Sequence, residues 1–245
     1  MRLVTVWAWA MLWAWAALLR AIGGVDMVMF GRVLVESSWF SKVDRETKSL
    51  SSLVLCGAEC TRVKWCQLWC LVQPGECLLT SLVVSGSYQP LELNDIRLCY
   101  TSRRPDFAVG SSIFSSQRYD DTRPKENLVD GIYNWNVMQS SIIVSDNATA
   151  WFLVDLGVPR RVSKVLLIAQ PTDLARHWFQ DLEVRVGDIQ ETGNFTSYTL
   201  LGTFVGPGNT SQVVVIRPSA PLVGRYVSIQ RMTEGRLQIS HLEIR

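Results

Sequence analysis

The sequence predicts a mainly β protein, with two packed antiparallel sheets in its second half and a small disulfide-rich α+β module before them. The first observation is an ordered series of strand-like phrases. They are Asn127–Gly131, Trp151–Gly157, Phe179–Gly187, Gly224–Gln230 and Leu237–Arg245. Each is a short apolar or alternating run closed by Asp, Gly, Pro or Asn, which is how a strand and its turn read. The second is that all six cysteines lie between Cys56 and Cys99. From Phe107 onward there is none, so the second half must hold together by packing alone.

Taken in order, Met1 to Gly24 reads as a secretory signal. Arg2 is a short basic start, Leu3 to Leu19 is an unbroken apolar run, and Ala21-Ile-Gly23 offers small residues for cleavage. The alternative is a retained membrane anchor, because the run is close to the lower length limit for a span and Arg20 follows it. No later segment is apolar for long enough to span, so the expectation is a secreted, extracellular protein with no membrane span in the mature chain. Asn147, Asn194 and Asn209 each begin an Asn-x-Ser/Thr sequon, expected in surface loops of a secreted chain. The formal charge of +2 includes Arg2 and Arg20, and the leader has no acid, so the mature chain carries 2 − 2 = 0. A balanced chain gives no electrostatic case for nucleic acid or an anionic membrane.

Residues 25–101 form the predicted cystine module. Its cysteines are spaced Cys56-x3-Cys60-x5-Cys66-x3-Cys70-x6-Cys77, followed by Cys99. Zinc does not suit these spacings, no histidine is near, and an oxidising compartment favours disulfides. The stretch Lys48 to Cys60 reads as a helix with Cys56 and Cys60 on one face. Cys77-Leu-Leu-Thr80 reads as a strand. The spacing alone leaves the connectivity open. This helix, cysteine and Cys-Leu-Leu strand resemble the PAN/apple module. The resemblance implies the pairs Cys56–Cys77 and Cys60–Cys66, with Cys70–Cys99 remaining. The family's cysteine before the helix is absent, since Val25 to Leu55 contain none. Arg62, Lys64, Trp65 and Trp69 are either an interaction face or, as we read them, a solvated rim with a core filler.

Residues 102–107, with Arg103-Arg104-Pro105, read as a linker. Residues 108–245 are the predicted sandwich. Its core candidates include Trp151, Phe152, Val154 and Leu156, then Val165 to Ile168, Val213 to Ile216, and Tyr226, Val227 and Ile229. The order and spacing of the strand phrases resemble the discoidin-like (coagulation-factor C-type) domain and its fucolectin relatives. That family has a jelly-roll, galactose-binding-like β-sandwich with a ligand site in the loops at one end, so the resemblance implies binding.

Two sites can be placed by this resemblance. The first is calcium, a hard cation that takes carboxylate and carbonyl oxygens. It implies Asp130 as the carboxylate, Asn127 and Ile132 at carbonyl positions, Ser141 at a serine position and Ser240 at a carbonyl near the C-terminal end. His241 stands where a glutamate is expected, and Glu243 lies on the same face of the strand but about 7 Å further along. Calcium assistance and a plain Asp130-Gly131 turn both stay open. The second site is sugar. The resemblance places Val144 at the family's histidine and Gln170 at its first arginine, so fucose itself is not expected. Only the second arginine has a counterpart, Arg176 or His177. The loop Gln170 to Phe179 still carries Gln170, Asp173, Arg176, His177 and Trp178, the planar donors and aromatics a sugar site needs. The alternative is that its aromatics pack in the core while its charges are solvated.

No enzyme is expected. The histidines are His177 and His241, and neither lies in a nucleophile-elbow, metalloprotease or phosphate-loop setting. The expected function is therefore carbohydrate recognition in adhesion or innate defence. Its partners are glycans or glycoproteins, and oligomerisation for avidity is left open. The rival is a protein–protein adhesion or scaffold module with no sugar ligand.

Overall fold

The computed structural model describes residues 28–117, 122–133, 135, 141–143 and 149–245. The expected leader, Val144 and the Asn147 sequon lie outside these residues, and of Ser141 the backbone strand alone is described.

The described strands, in chain order, are β1 (Gly31–Glu36), β2 (Arg45–Ser49), β3 (Leu68–Gln73), β4 (Glu76–Thr80), β5 (Val83–Val84), β6 (Ile96–Thr101), β7 (Ser112–Ser115) and β8 (Ile132–Tyr133). They continue with β9 (Ser141–Ile143), β10 (Trp151–Val162), β11 (Val165–Ala169), β12 (Leu182–Gly187), β13 (Thr199–Phe204), β14 (Val213–Ile216), β15 (Leu222–Arg231) and β16 (Leu237–Ile244). The N-terminal module is one antiparallel sheet, β1-β6-β3-β4-β2, with the helix Leu53–Arg62 alongside. The helix is shorter at its start than the expected Lys48 to Cys60. Lys48 belongs to β2, because Ser52 caps the helix by accepting the Leu55 amide and so fixes where it begins. Cys56 and Cys60 do share its buried face. The disulfides are Cys56–Cys77, Cys60–Cys66 and Cys70–Cys99, the pairs the resemblance implies. Trp69 is core, stacked on Tyr100 at 4.2 Å, while Trp65, Arg62 and Lys64 are exposed.

The second half is a sandwich of a five-stranded sheet, β13-β12-β15-β10-β7, on a four-stranded sheet, β14-β11-β16-β9. Phe152, Val154, Leu167, Val184, Val227, Ile229, Ile239 and Leu242 fill the space between them. Two expectations need correction. Asn127 lies in a one-turn helix, Lys125–Leu128, and the phrase ends in a turn at Asp130-Gly131. Val213 and Val215 point to solvent, because β14 is an edge strand and every second residue faces outward. In contrast, β11 and β16 are buried at every position. Their outer face carries Leu166 and Ile168, and these pack with Tyr133 and with Val83 of the N-terminal module.

The two modules are therefore keyed together. Val83 and Val84 of β5 pair with Tyr133 and Ile132 of β8, and the Ser85 amide donates to the Gly131 carbonyl. The expected linker is not a free tether. Asp106 is buried, and its Oδ1 accepts the amides of Ala108 at 2.9 Å and Ile244 at 2.7 Å, while its own amide donates to Ser87 Oγ.

Candidate functional site

The loop Gln170–Phe179 leaves the end of β11 and returns the chain to β12. Its middle is a single helical turn, Ala175–Trp178. Phe179 anchors the loop: its ring is fully buried in the core and its carbonyl accepts the Gly208 amide at 2.8 Å. A Cβ on Gly208 would meet the Phe179 ring at 2.7 Å, so this close crossing requires glycine. The turn then projects Asp173, Arg176 and His177 outward, all exposed, beside Leu174, which is 44% exposed. Trp178 is half-buried, with the Arg236 guanidinium 5.3 Å from its ring centroid. A carboxylate, a guanidinium and an imidazole at the exposed positions 173, 176 and 177, next to apolar surface, can donate to and accept from sugar hydroxyls.

Arg231, at the end of β15, holds this turn. It is 6% exposed. Its Nη1 donates to the carbonyls of His177 at 2.9 Å and Arg236 at 2.7 Å, and its Nε donates to Thr233 Oγ1 at 3.0 Å. Burial pushes the guanidinium below its ordinary value, partly offset by the Asp181 charge. Gly235, at φ 128°, brings the hairpin against the guanidinium.

The structure separates the five residues expected to bind ligand. Asp173, Arg176, His177 and Trp178 gather on the turn. Gln170 does not join them: it is fully buried and lies under the loop. The cause is strand geometry: Gln170 follows Ile168 by two residues and Gln238 lies between the core residues Leu237 and Ile239, so both fall on the outer face of the four-stranded sheet, which is buried here. Neither amide has a protein hydrogen-bond partner at its nitrogen or oxygen. Asn194 and Asn209 are exposed. Arg231 was not legible as a site residue.

The Asp130 region is a second cluster, half-buried at Asp130 and fully buried at His241 and Glu243. Asp130 Oδ1 accepts the Ile132 amide at 2.9 Å, closing a turn. Burial pushes its carboxyl up to about 7, against the Ile132 bond and the charge of His241. His241 is fully buried, stacks on Tyr133 at 6.0 Å, and has no hydrogen bond at either nitrogen. Its Nε2 lies 3.7 Å from Glu243 Oε1, an ion-pair distance too long for a direct hydrogen bond. Burial would raise Glu243, but His241, Arg103 and Arg245 outweigh it and hold the carboxyl at about 2. Calcium takes about six to eight oxygens. Here one carboxylate faces an imidazole, the Gly131 carbonyl is taken by Ser85, and Ile132 is paired with Val84. Among the described residues no three His, Cys, Asp or Glu side chains gather as metal ligands. The expected set Asn127, Asp130, Ile132, Ser141 and Ser240 thus holds one carboxylate, and the imidazole of His241 stands where a second was expected.

The family model of the F5/8 type C domain matches residues 111–243, more than half of the chain. Among solved structures, the chain is similar to a fucolectin from striped bass serum, with 15% identity and a TM-score of 0.49, over 71% of this chain and 59% of that one. It is similar to a fucose-binding module of Streptococcus pneumoniae, with 16% identity and a TM-score of 0.45, over 57% of this chain and 96% of that one. It is also similar to a family 32 carbohydrate-binding module of C. perfringens NanJ in complex with galactose, with 15% identity and a TM-score of 0.43, over 55% and 92%. No curated protein matches the chain. Among the described residues no helix is long and apolar enough to cross a membrane.

Proposed function

This chain belongs to the F5/8 type C domain family, and we propose that it is a secreted carbohydrate-recognition protein whose sugar site is the exposed turn Asp173–Trp178. The observation that carries this reading is the clamp on that turn. An exposed loop with three polar side chains is common, but here a buried guanidinium holds the turn by its His177 carbonyl and ties it to the Arg236 carbonyl of the hairpin beside it. Holding the donors in place before the sugar arrives lowers the ordering cost of binding. Arg176 supplies paired N–H donors, Asp173 accepts, and Leu174 and Trp178 offer apolar surface to a sugar face.

Recognition is proposed to be independent of calcium, because position 241 supplies an imidazole nitrogen where the ion would take a carboxylate, and Asp130 Oδ1 already accepts the Ile132 amide. Secretion accords with the three disulfides, which persist in oxidising compartments.

The test is titration of the disulfide-intact protein with a glycan it binds. Arg176→Ala is expected to weaken binding by about 2 kcal/mol, or roughly thirtyfold, the loss of a charged hydrogen-bond donor. Its melting temperature should not change, because Arg176 is exposed. Unchanged affinity would move the site away from this turn.

A further inference from the structure

The small formal net charge of +2 conceals a segregated surface. At the pole of the sandwich opposite the Gln170 loop, the β10–β11 turn, the end of β14 and the end of β16 come together. Arg245 exchanges backbone hydrogen bonds with Lys164, at 2.9 and 3.0 Å. Val165 pairs with Ile216, which sets Arg217 beside Lys164. Arg160 lies four residues before Lys164, at most about 14 Å of chain away. Burial first, and then the charges of Arg245, Arg217 and Arg103, partly offset by Glu243, hold the Lys164 ammonium below its ordinary value. Arg160, Arg161 and Arg217 are exposed, and among the described residues neither they nor Lys164 pair with a carboxylate. Glu243 is shared by Arg103 and Arg245, and Asp155 pairs with Arg225. One acid for two arginines leaves the pole basic.

A cleft of about 430 Å³ opens in the same pole. Phe107 forms one wall, with the Arg160 guanidinium 5.4 Å from its ring. Ser111, Ser112, Asp155 and Arg225 supply hydroxyl, carboxylate and guanidinium groups. Arg225 holds Asp155 through two bonds, at 2.6 and 2.7 Å, so these groups are fixed.

We propose that this pole binds a sulfated polysaccharide chain, with one sugar ring in the Phe107–Arg160–Arg225 cleft and neighbouring sulfates on Lys164 and Arg217. Guanidinium forks match sulfate oxygens, and a row of cations matches a repeating anion. A lipid surface suits the pole less well, because docking would bury the polar floor of the cleft without hydrogen-bond partners. The site is separate from the Asp173–Trp178 turn and does not depend on it.

The test uses the full, disulfide-intact chain, immobilised heparin as probe, and vesicles of phosphatidylserine and phosphatidylcholine for comparison. Heparin should retain the protein at physiological salt. Arg160→Glu/Lys164→Glu/Arg217→Glu should weaken that binding by at least about thirtyfold, since reversed charges repel the polyanion. The milder Lys164→Gln/Arg217→Gln should weaken it by about tenfold, so the result does not hang on the triple variant folding. Lys42→Glu/Lys48→Glu, with the same change of sign in the N-terminal module, should change it by less than about threefold. Equal loss in that control would overturn the proposal by reducing it to overall charge. So would a folded protein that heparin does not retain, or one that binds the vesicles in place of heparin. Arg176→Ala should leave heparin binding intact, so failure of the sugar site and failure of this one can be told apart.

Discussion

Arg231→Ala is expected to destabilise the protein by about 3 kcal/mol and lower its melting temperature by about 10 °C. Three bonds from one buried side chain are lost together, and the carbonyls of His177 and Arg236 are left without their donor. Truncation also opens a space beneath the hairpin at Gly235. Sugar affinity should fall as well, because the turn that carries Arg176 loses its anchor. Arg231→Met separates the two contributions. It keeps most of the volume and removes the bonds, so it should recover part of the stability and none of the affinity. Thermal melts and a glycan titration of the same three proteins decide this. An Arg231→Ala protein melting within about 2 °C of the parent would mean the clamp contributes little.

Asp106→Asn is expected to change how stability depends on pH. Burial raises the Asp106 carboxyl from 3.8 to about 6, against the bonds from Ile244 and Ala108. The folded chain therefore holds this proton at pH values where the unfolded chain has released it. Stability from this group is fully present below about pH 4 and declines as pH rises through about 6, by roughly 3 kcal/mol in total. Asparagine keeps an acceptor oxygen for the two amides and cannot ionise. Relative to the parent, the variant should gain about 3 kcal/mol between pH 4 and pH 7. Glu243 shifts the other way, and its contribution is lost as pH falls from 4.5 toward about 2, so it does not mask the effect. Urea unfolding at several pH values measures this. Parallel curves for parent and variant would show that Asp106 is solvated.

Much of the sandwich was legible because alternation and apolar runs report burial directly. Trp151–Gly157 and Leu237–Arg245 matched strands to within a few residues. What was missed depends on contacts remote in sequence. Val213 and Val215 read as core because a run of valines does not tell an edge strand from a central one. Gln170 read as a surface donor and is buried, because it falls on the outer face of the four-stranded sheet, which is buried here. Arg231 carried no signal in the sequence, because its partners, the carbonyls of His177 and Arg236, are brought to it only by the fold. Asp106 sits in a stretch whose arginines and proline suggest a tether, yet it is held by Ile244, 138 residues away. The charge of the basic pole was invisible because composition averages over the whole surface.

The central claim is that the Asp173–Trp178 turn recognises carbohydrate without calcium. Glycan-array binding of the disulfide-intact, multivalent protein, run with calcium and again with chelator, tests it most directly. The account predicts the same glycans bound in both conditions and lost with Arg176→Ala. Binding that vanishes with chelator would contradict the reading of the Asp130 cluster, and a folded protein that binds no glycan would contradict the function itself.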